Sequence, residues 1–85
     1  MSDSGLTYKA HLERRYSPSN RPQMYRATVE IFKPGGGGFL VEAMGNVGQA
    51  IENAAQKCVR YGLYYEDVRF DLEDIYTKLG EEENG

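Results

Sequence analysis

Four kinds of residue in this 85-residue chain have side chains or backbones suited to chemistry: one histidine, one cysteine, a run of glycines and many carboxylates. His11 is the only candidate base or metal-ligating imidazole. It stands between Lys9 and Glu13 in an alternating stretch, with no second histidine or cysteine at ligand spacing, so it reads as a surface histidine. Serine chemistry through His11 would need an oxyanion loop, and no segment supplies one. Cys58, alone, cannot form an internal disulfide; it falls on an apolar stripe and reads as a small buried hydrophobe. Gly35–Gly38 offers backbone amides to an anion. A phosphate loop, however, needs Gly-Lys-Ser/Thr and a helix directly after it. A strand pattern follows here, which makes the run a hairpin tip. Glu66, Asp67, Asp71, Glu73 and Asp74 lack the Asp-x-Asp-x-Asp-Gly order of a calcium loop and read as a solvated face. The expectation is a non-enzymatic chain with no catalytic, metal or cofactor site.

Recognition is the remaining chemistry. Arg14, Arg15, Arg21 and Arg26 cluster around the first predicted turn and form a candidate nucleic-acid patch, since a duplex contact needs several cations on one surface. Salt bridging to acidic segments is their other use. Residues 1–33 carry six cations against three acids, and residues 34–85 carry four cations against ten acids, for a net charge of −3. The acidic second part repels phosphate, so RNA is a possible partner but a disfavoured one. Seven tyrosines and no tryptophan point instead to amphipathic contact area. Tyr61, Tyr64, Tyr65, Phe70, Ile75 and Tyr76 form a candidate protein interface, with the cover of a small core as the alternative use of the same rings.

These residues must be positioned by a few short elements. Tyr8, Ala10 and Leu12 alternate with Lys9, His11, Glu13 and Arg15, predicting a strand over residues 7–16. Ser17-Pro18-Ser19-Asn20-Arg21-Pro22 is turn chemistry. Tyr25, Ala27, Val29 and Ile31 alternate with Arg26, Thr28 and Glu30 in a second strand rich in β-branched and aromatic residues. Phe39–Met44 resumes as a third strand after the glycines, a spacing that suggests an antiparallel hairpin. Residues 47, 50, 51, 54, 55, 58 and 59 are small or apolar at helical spacing. Their alanines let that face lie close against a sheet. Asn46 is placed to cap this helix, with Gln49 three residues on, and Gly62 is a natural stop. Its wet side, including Gly48, Gln49, Glu52, Asn53, Gln56, Lys57 and Arg60, is almost neutral. Asp71–Gly80 reads as a short terminal helix with Leu72, Ile75, Tyr76 and Leu79 docked inward, and residues 81–85 as a disordered acidic tail.

The predicted class is therefore α+β: a three-stranded antiparallel sheet with one main helix on one face and a short C-terminal helix, in one domain over residues 1–80. Over residues 25–60 the strand, glycine turn and helix, with Ala54-Ala55 inside Glu52-Asn53-Ala54-Ala55-Gln56-Lys57, resemble the C-terminal β-β-β-α portion of a double-stranded-RNA-binding domain. The resemblance implies that family's fold. The family's contacts do not carry over. Its helix opens with a lysine cluster, where this chain has Gly48, Gln49 and Glu52. Its first inter-strand loop carries Gly-Pro-x-His, which Ser17–Met24 lacks, and its helix before the strands is missing here or reduced to a few residues. The layout also resembles small plant, especially grass, domains in which a Gly-Asn turn precedes a Glu-x-Ala-Ala helix.

Eighty-five residues allow one domain near the lower limit for an unaided core. No run of 18 apolar residues predicts a membrane span, and the first residues do not read as a secretory signal. An intracellular setting, cytoplasmic or nuclear, is expected. The functional expectation is a small protein-interaction module with a protein partner or a homodimer, built on an edge strand, either Thr7–Tyr16 or Phe39–Met44. The alternative is a weak duplex-RNA binder.

Overall fold

Alternation along the chain becomes a sheet with one dry and one wet face. The computed structural model describes residues 5–15 and 24–84, the last four as backbone only. Strands β1 (Thr7–Arg15), β2 (Met24–Phe32) and β3 (Gly38–Gly45) are followed by helices α1 (Val47–Val59) and α2 (Tyr65–Asn84). The strands lie in the order β1-β2-β3, both pairings antiparallel. Leu12 sits opposite Ala27 and Val29 opposite Val41, so these four apolar residues, drawn from all three strands, fall on one side. Tyr25, Ala27, Val29 and Ile31 are buried, as the sequence pattern predicts. The Ser17–Pro22 turn lies outside the described residues.

Lys33–Gly38 forms the β2–β3 hairpin tip. Gly36 N–H donates to the Lys33 carbonyl at 3.2 Å and Lys33 N–H to the Gly37 carbonyl at 3.1 Å. Gly35, Gly36 and Gly37 all have positive φ, a region that side chains disfavour. Gly38 is required for a different reason. A Cβ there would lie 2.2 Å from the Ile31 carbonyl oxygen.

The first helix begins as the sequence predicts. Asn46 Oδ1 accepts from Gln49 N–H at 2.9 Å, and Gln49 Oε1 accepts from Asn46 N–H at 3.3 Å, a reciprocal capping box. Ala50, Ile51, Ala54, Ala55 and Cys58 form its buried stripe. Val59, assigned to that stripe by spacing, is instead half exposed, because the stripe ends with the last turn. Gly62 N–H donates to the Val59 carbonyl at 3.1 Å and Leu63 N–H to the Cys58 carbonyl at 3.2 Å. With Gly62 at φ 101°, this is the bond pair of a Schellman stop.

The second helix is not short. It starts at Tyr65, six residues before the expected Asp71, and continues through Gly80 to Asn84. The backbone of residues 81–84, expected as a tail, thus extends the helix. Val68 and Leu72 are fully buried, and Tyr65, Ile75 and Leu79 pack against the core beside them. Positions 65, 68, 72, 75 and 79 are spaced three and four apart, so one continuous stripe holds the helix down. A glycine inside a helix costs only about 1 kcal/mol, too little to break a helix anchored by that stripe.

Both helices cover the same face of the sheet. Helix α1 lies against β3 and β2, and α2 lies against β1 and α1. The Tyr8 hydroxyl donates to Asp71 Oδ2, and Tyr76 meets Tyr25 edge-on at 5.7 Å, so α2 is tied to the sheet by polar and aromatic contacts. No polar or charged residue is buried among the described residues. Lys9, His11, Glu13, Arg15, Leu40, Glu42 and Met44 are exposed on the opposite, bare face. Among the described residues no helix is long and apolar enough to cross a membrane.

Candidate functional site

The described arginines of the candidate patch do not share one surface. Arg14 points to the helix-covered side, where its Nε donates to Tyr25 Oη at 3.2 Å and its guanidinium lies 5.8 Å over the Tyr25 ring. Arg15 and Arg26 lie on the bare face, and Arg21 lies outside the described residues. Arg26 Nη2 binds Glu13 Oε1 at 2.6 Å, and Arg15 Nη1 approaches the same oxygen at 4.0 Å. The hydrogen bond from Arg26 and its charge hold the Glu13 carboxyl below its ordinary value, and Glu13 raises Arg26 in return. His11 Nε2 meets Glu30 Oε2 at 3.0 Å on the same face. The bare face is therefore charged at its centre, where Glu13 and Glu30 each have a basic side chain within reach.

The tyrosine set is also divided. Tyr65, Ile75 and Tyr76 turn toward the body, Tyr65 and Ile75 as partly buried neighbours of the core. Phe70 is on the outer side of α2, with the Arg69 guanidinium 5.4 Å from its ring centroid. Tyr64 is exposed in the joint between the helices. Tyr61 reaches β3, where its ring lies 4.5 Å from that of Phe39. The Lys33 ammonium is 5.5 Å from the Phe39 ring centroid on the same end of the hairpin.

Both β1 and β3 are edge strands, but they differ in character. β1 shows Lys9, His11, Glu13 and Arg15 to solvent, the charged dressing that normally blunts an edge. β3 leaves Phe39, Leu40 and Met44 exposed, at 40%, 60% and 50% of their surface, with Glu42 the only charge along it. Phe32, also exposed, adjoins Leu40 on the bare face. Backbone groups alternate in direction along a strand. Lys57 Nζ donates to the Glu42 carbonyl at 2.9 Å, which marks that carbonyl as pointing away from β2. The N–H and C=O groups of Leu40 and Met44 point outward by the same alternation.

Beside this edge runs a groove walled by Ala43 and Met44 on β3 and by Asn53, Gln56, Lys57 and Arg60 on α1. The sequence signal for it was apolar residues at positions 32, 40 and 44, where the pleat calls for polar ones. Faces could be assigned to β3 only once its register with β2 was known.

Among the described residues no group of three histidine, cysteine, aspartate or glutamate side chains is disposed to hold a metal ion. Burial pushes the Cys58 thiol up to about 11, far from the thiolate a nucleophile needs. No family model matches the chain, and neither a curated protein nor a solved structure matches it.

Proposed function

We propose that this domain is a non-enzymatic protein-interaction module that takes up an extended protein segment along the outer edge of β3. The observation that carries the reading is the outer edge of β3, which pairs with no described strand and has exposed Leu40 and Met44 and outward backbone groups beside a groove on α1. Main-chain hydrogen bonds supply general affinity in such strand addition, and side-chain pockets beside the edge supply selectivity. The segment comes from a second copy of the chain or from another protein; either would use the same edge.

Duplex RNA is the weaker reading. Counterion release needs several unneutralised cations facing one backbone. Arg14 and Arg26 lie on opposite faces, and Glu13 already neutralises Arg26. The positions where double-stranded-RNA-binding domains place their lysines are Gly48, Gln49 and Glu52 here.

Short random peptides displayed on phage, selected on the folded chain and mapped by amide chemical shifts, test the proposal. Perturbations should concentrate at residues 38–45 and on the facing side of α1. Selected peptides that perturb only β1, or only the Phe70 side of α2, would reject this edge.

A further inference from the structure

We infer that the β3 edge selects an extended segment with carboxylates on alternate residues, a reading that rests on strand addition at this edge. A strand laid beside β3 turns successive side chains to opposite faces of the sheet. Those on the bare side meet Leu40 and Met44, two apolar side chains that flank the single carboxylate of Glu42. Those on the helix side enter the groove and meet Asn53, Gln56, Lys57 and Arg60. The groove wall thus carries two cations and two amides, and no acid.

These cations are in no ion pair with a described carboxylate. Lys57 bonds a backbone carbonyl, Lys33 lies against an aromatic ring, and no carboxylate among the described residues is within ion-pair distance of Lys33, Lys57 or Arg60. The other described arginines are engaged: Arg14 with Tyr25, Arg15 and Arg26 with Glu13, and Arg69 with Glu73 at 3.0 Å. In a chain with net charge −3, the edge of β3 is a local basic rim. An incoming strand replaces the Lys57 donor at the Glu42 carbonyl with its own N–H. The released ammonium then becomes available to a carboxylate of that strand.

The same charges count against a second copy as the occupant. Antiparallel pairing of two β3 edges about a two-fold axis brings Lys57 and Arg60 of one copy toward those of the other. The register that sets Leu40 opposite Met44 also sets Glu42 opposite Glu42, and like charges directly opposed destabilise a pair. An acidic partner strand meets neither penalty. Its side chains alternate between acidic toward α1 and apolar toward the bare face.

The test uses synthetic peptides of alternating valine with glutamate, with glutamine or with lysine, titrated into the full chain and followed by amide shifts. The glutamate peptide should perturb residues 38–45 and bind about tenfold more tightly than the glutamine peptide at low salt, with that margin shrinking as salt rises. Lys57→Glu with Arg60→Glu should reverse the order, so that the lysine peptide becomes the tighter ligand. Such a reversal cannot come from simple loss of folding. Equal binding of the glutamate and glutamine peptides at β3 would overturn the acidic selection while leaving strand addition standing. No perturbation of β3 by any peptide would remove both. Stronger perturbation of Lys33, Lys57 and Arg60 by a short RNA duplex than by the glutamate peptide would assign the rim to nucleic acid instead. A dimer whose interface protects the Leu40 and Met44 amides would assign it to a second copy.

Discussion

Lys57 holds the Glu42 carbonyl from across the groove at 2.9 Å, so a helix side chain occupies one hydrogen-bonding position on an otherwise open strand. Edge lysines commonly discourage unwanted pairing. Replacing Lys57 with alanine removes both the donor and the charge. The expected outcome is a weight-average mass that climbs with concentration in light scattering, with the unaltered chain climbing less. Equal masses for the two at every concentration would show that Lys57 does not guard this edge.

Tyr8 reports on the docking of α2. Its burial, followed by the hydrogen bond to Asp71 and the nearby negative charges, raises the phenol well above its ordinary value of 10.0. The folded state then binds this proton more tightly than the unfolded chain does. The resulting stability is fully present below pH about 10 and declines as pH rises past it. Tyr8→Phe should lower stability by about 1 kcal/mol at neutral pH through the lost hydrogen bond. Urea titrations should show the gap between the two proteins closing above pH about 10. A gap that widens there would contradict the sign of the linkage.

The start of α1 depends on a two-way exchange between Asn46 and Gln49. Asn46→Ala should cost about 1 kcal/mol, because it leaves an amide of the first turn without its acceptor. Asn46→Asp should retain most of that stability, since a carboxylate accepts the same bond and suits the positive end of the helix dipole. Thermal melts of the three proteins read this directly, and an aspartate variant no better than alanine would argue against the cap.

Two glycines should respond in opposite directions. Gly80 is inside α2, and the space a methyl group would fill there has no heavy atom within 4 Å. Gly80→Ala should therefore stabilise by about 0.5–1 kcal/mol. Gly38 has the Ile31 carbonyl oxygen 2.2 Å from where its Cβ would be. Gly38→Ala should destabilise by more than about 2 kcal/mol, since backbone must move to admit it. Chemical denaturation of both variants decides the matter, and a neutral Gly38→Ala would mean the hairpin tip relaxes freely.

Much of this architecture was legible from local pattern. Period-two alternation at Tyr25–Ile31 fixed the central strand, and Asn46 with Gln49 fixed the entry to α1, because both signals depend on near neighbours only. The start of α2 was misplaced because Asp71 looks like a cap, while the stripe at 65, 68, 72, 75 and 79 runs through it. Tertiary burial of Val68 and Leu72 decides that helix, and it overrides the propensity of Gly80. The candidate edge was narrowed to two strands by sequence. Choosing β3 needed the register, which turns Leu40 and Met44 to one face and brings Lys57 of α1 to the Glu42 carbonyl. Side chains drawn together from distant positions, such as Phe39 with Tyr61, leave no trace in spacing.

The alanines at 27, 43, 50, 54 and 55, all buried where α1 meets the sheet, set how near the two layers stand. A gap defined by methyl groups has no slack, since even one added methylene forces neighbours off their preferred rotamers. Sequence drift is thereby steered outward. Side chains on the bare face and the rim of the groove can be exchanged without moving that frame, so what the edge binds can change while the fold stays put.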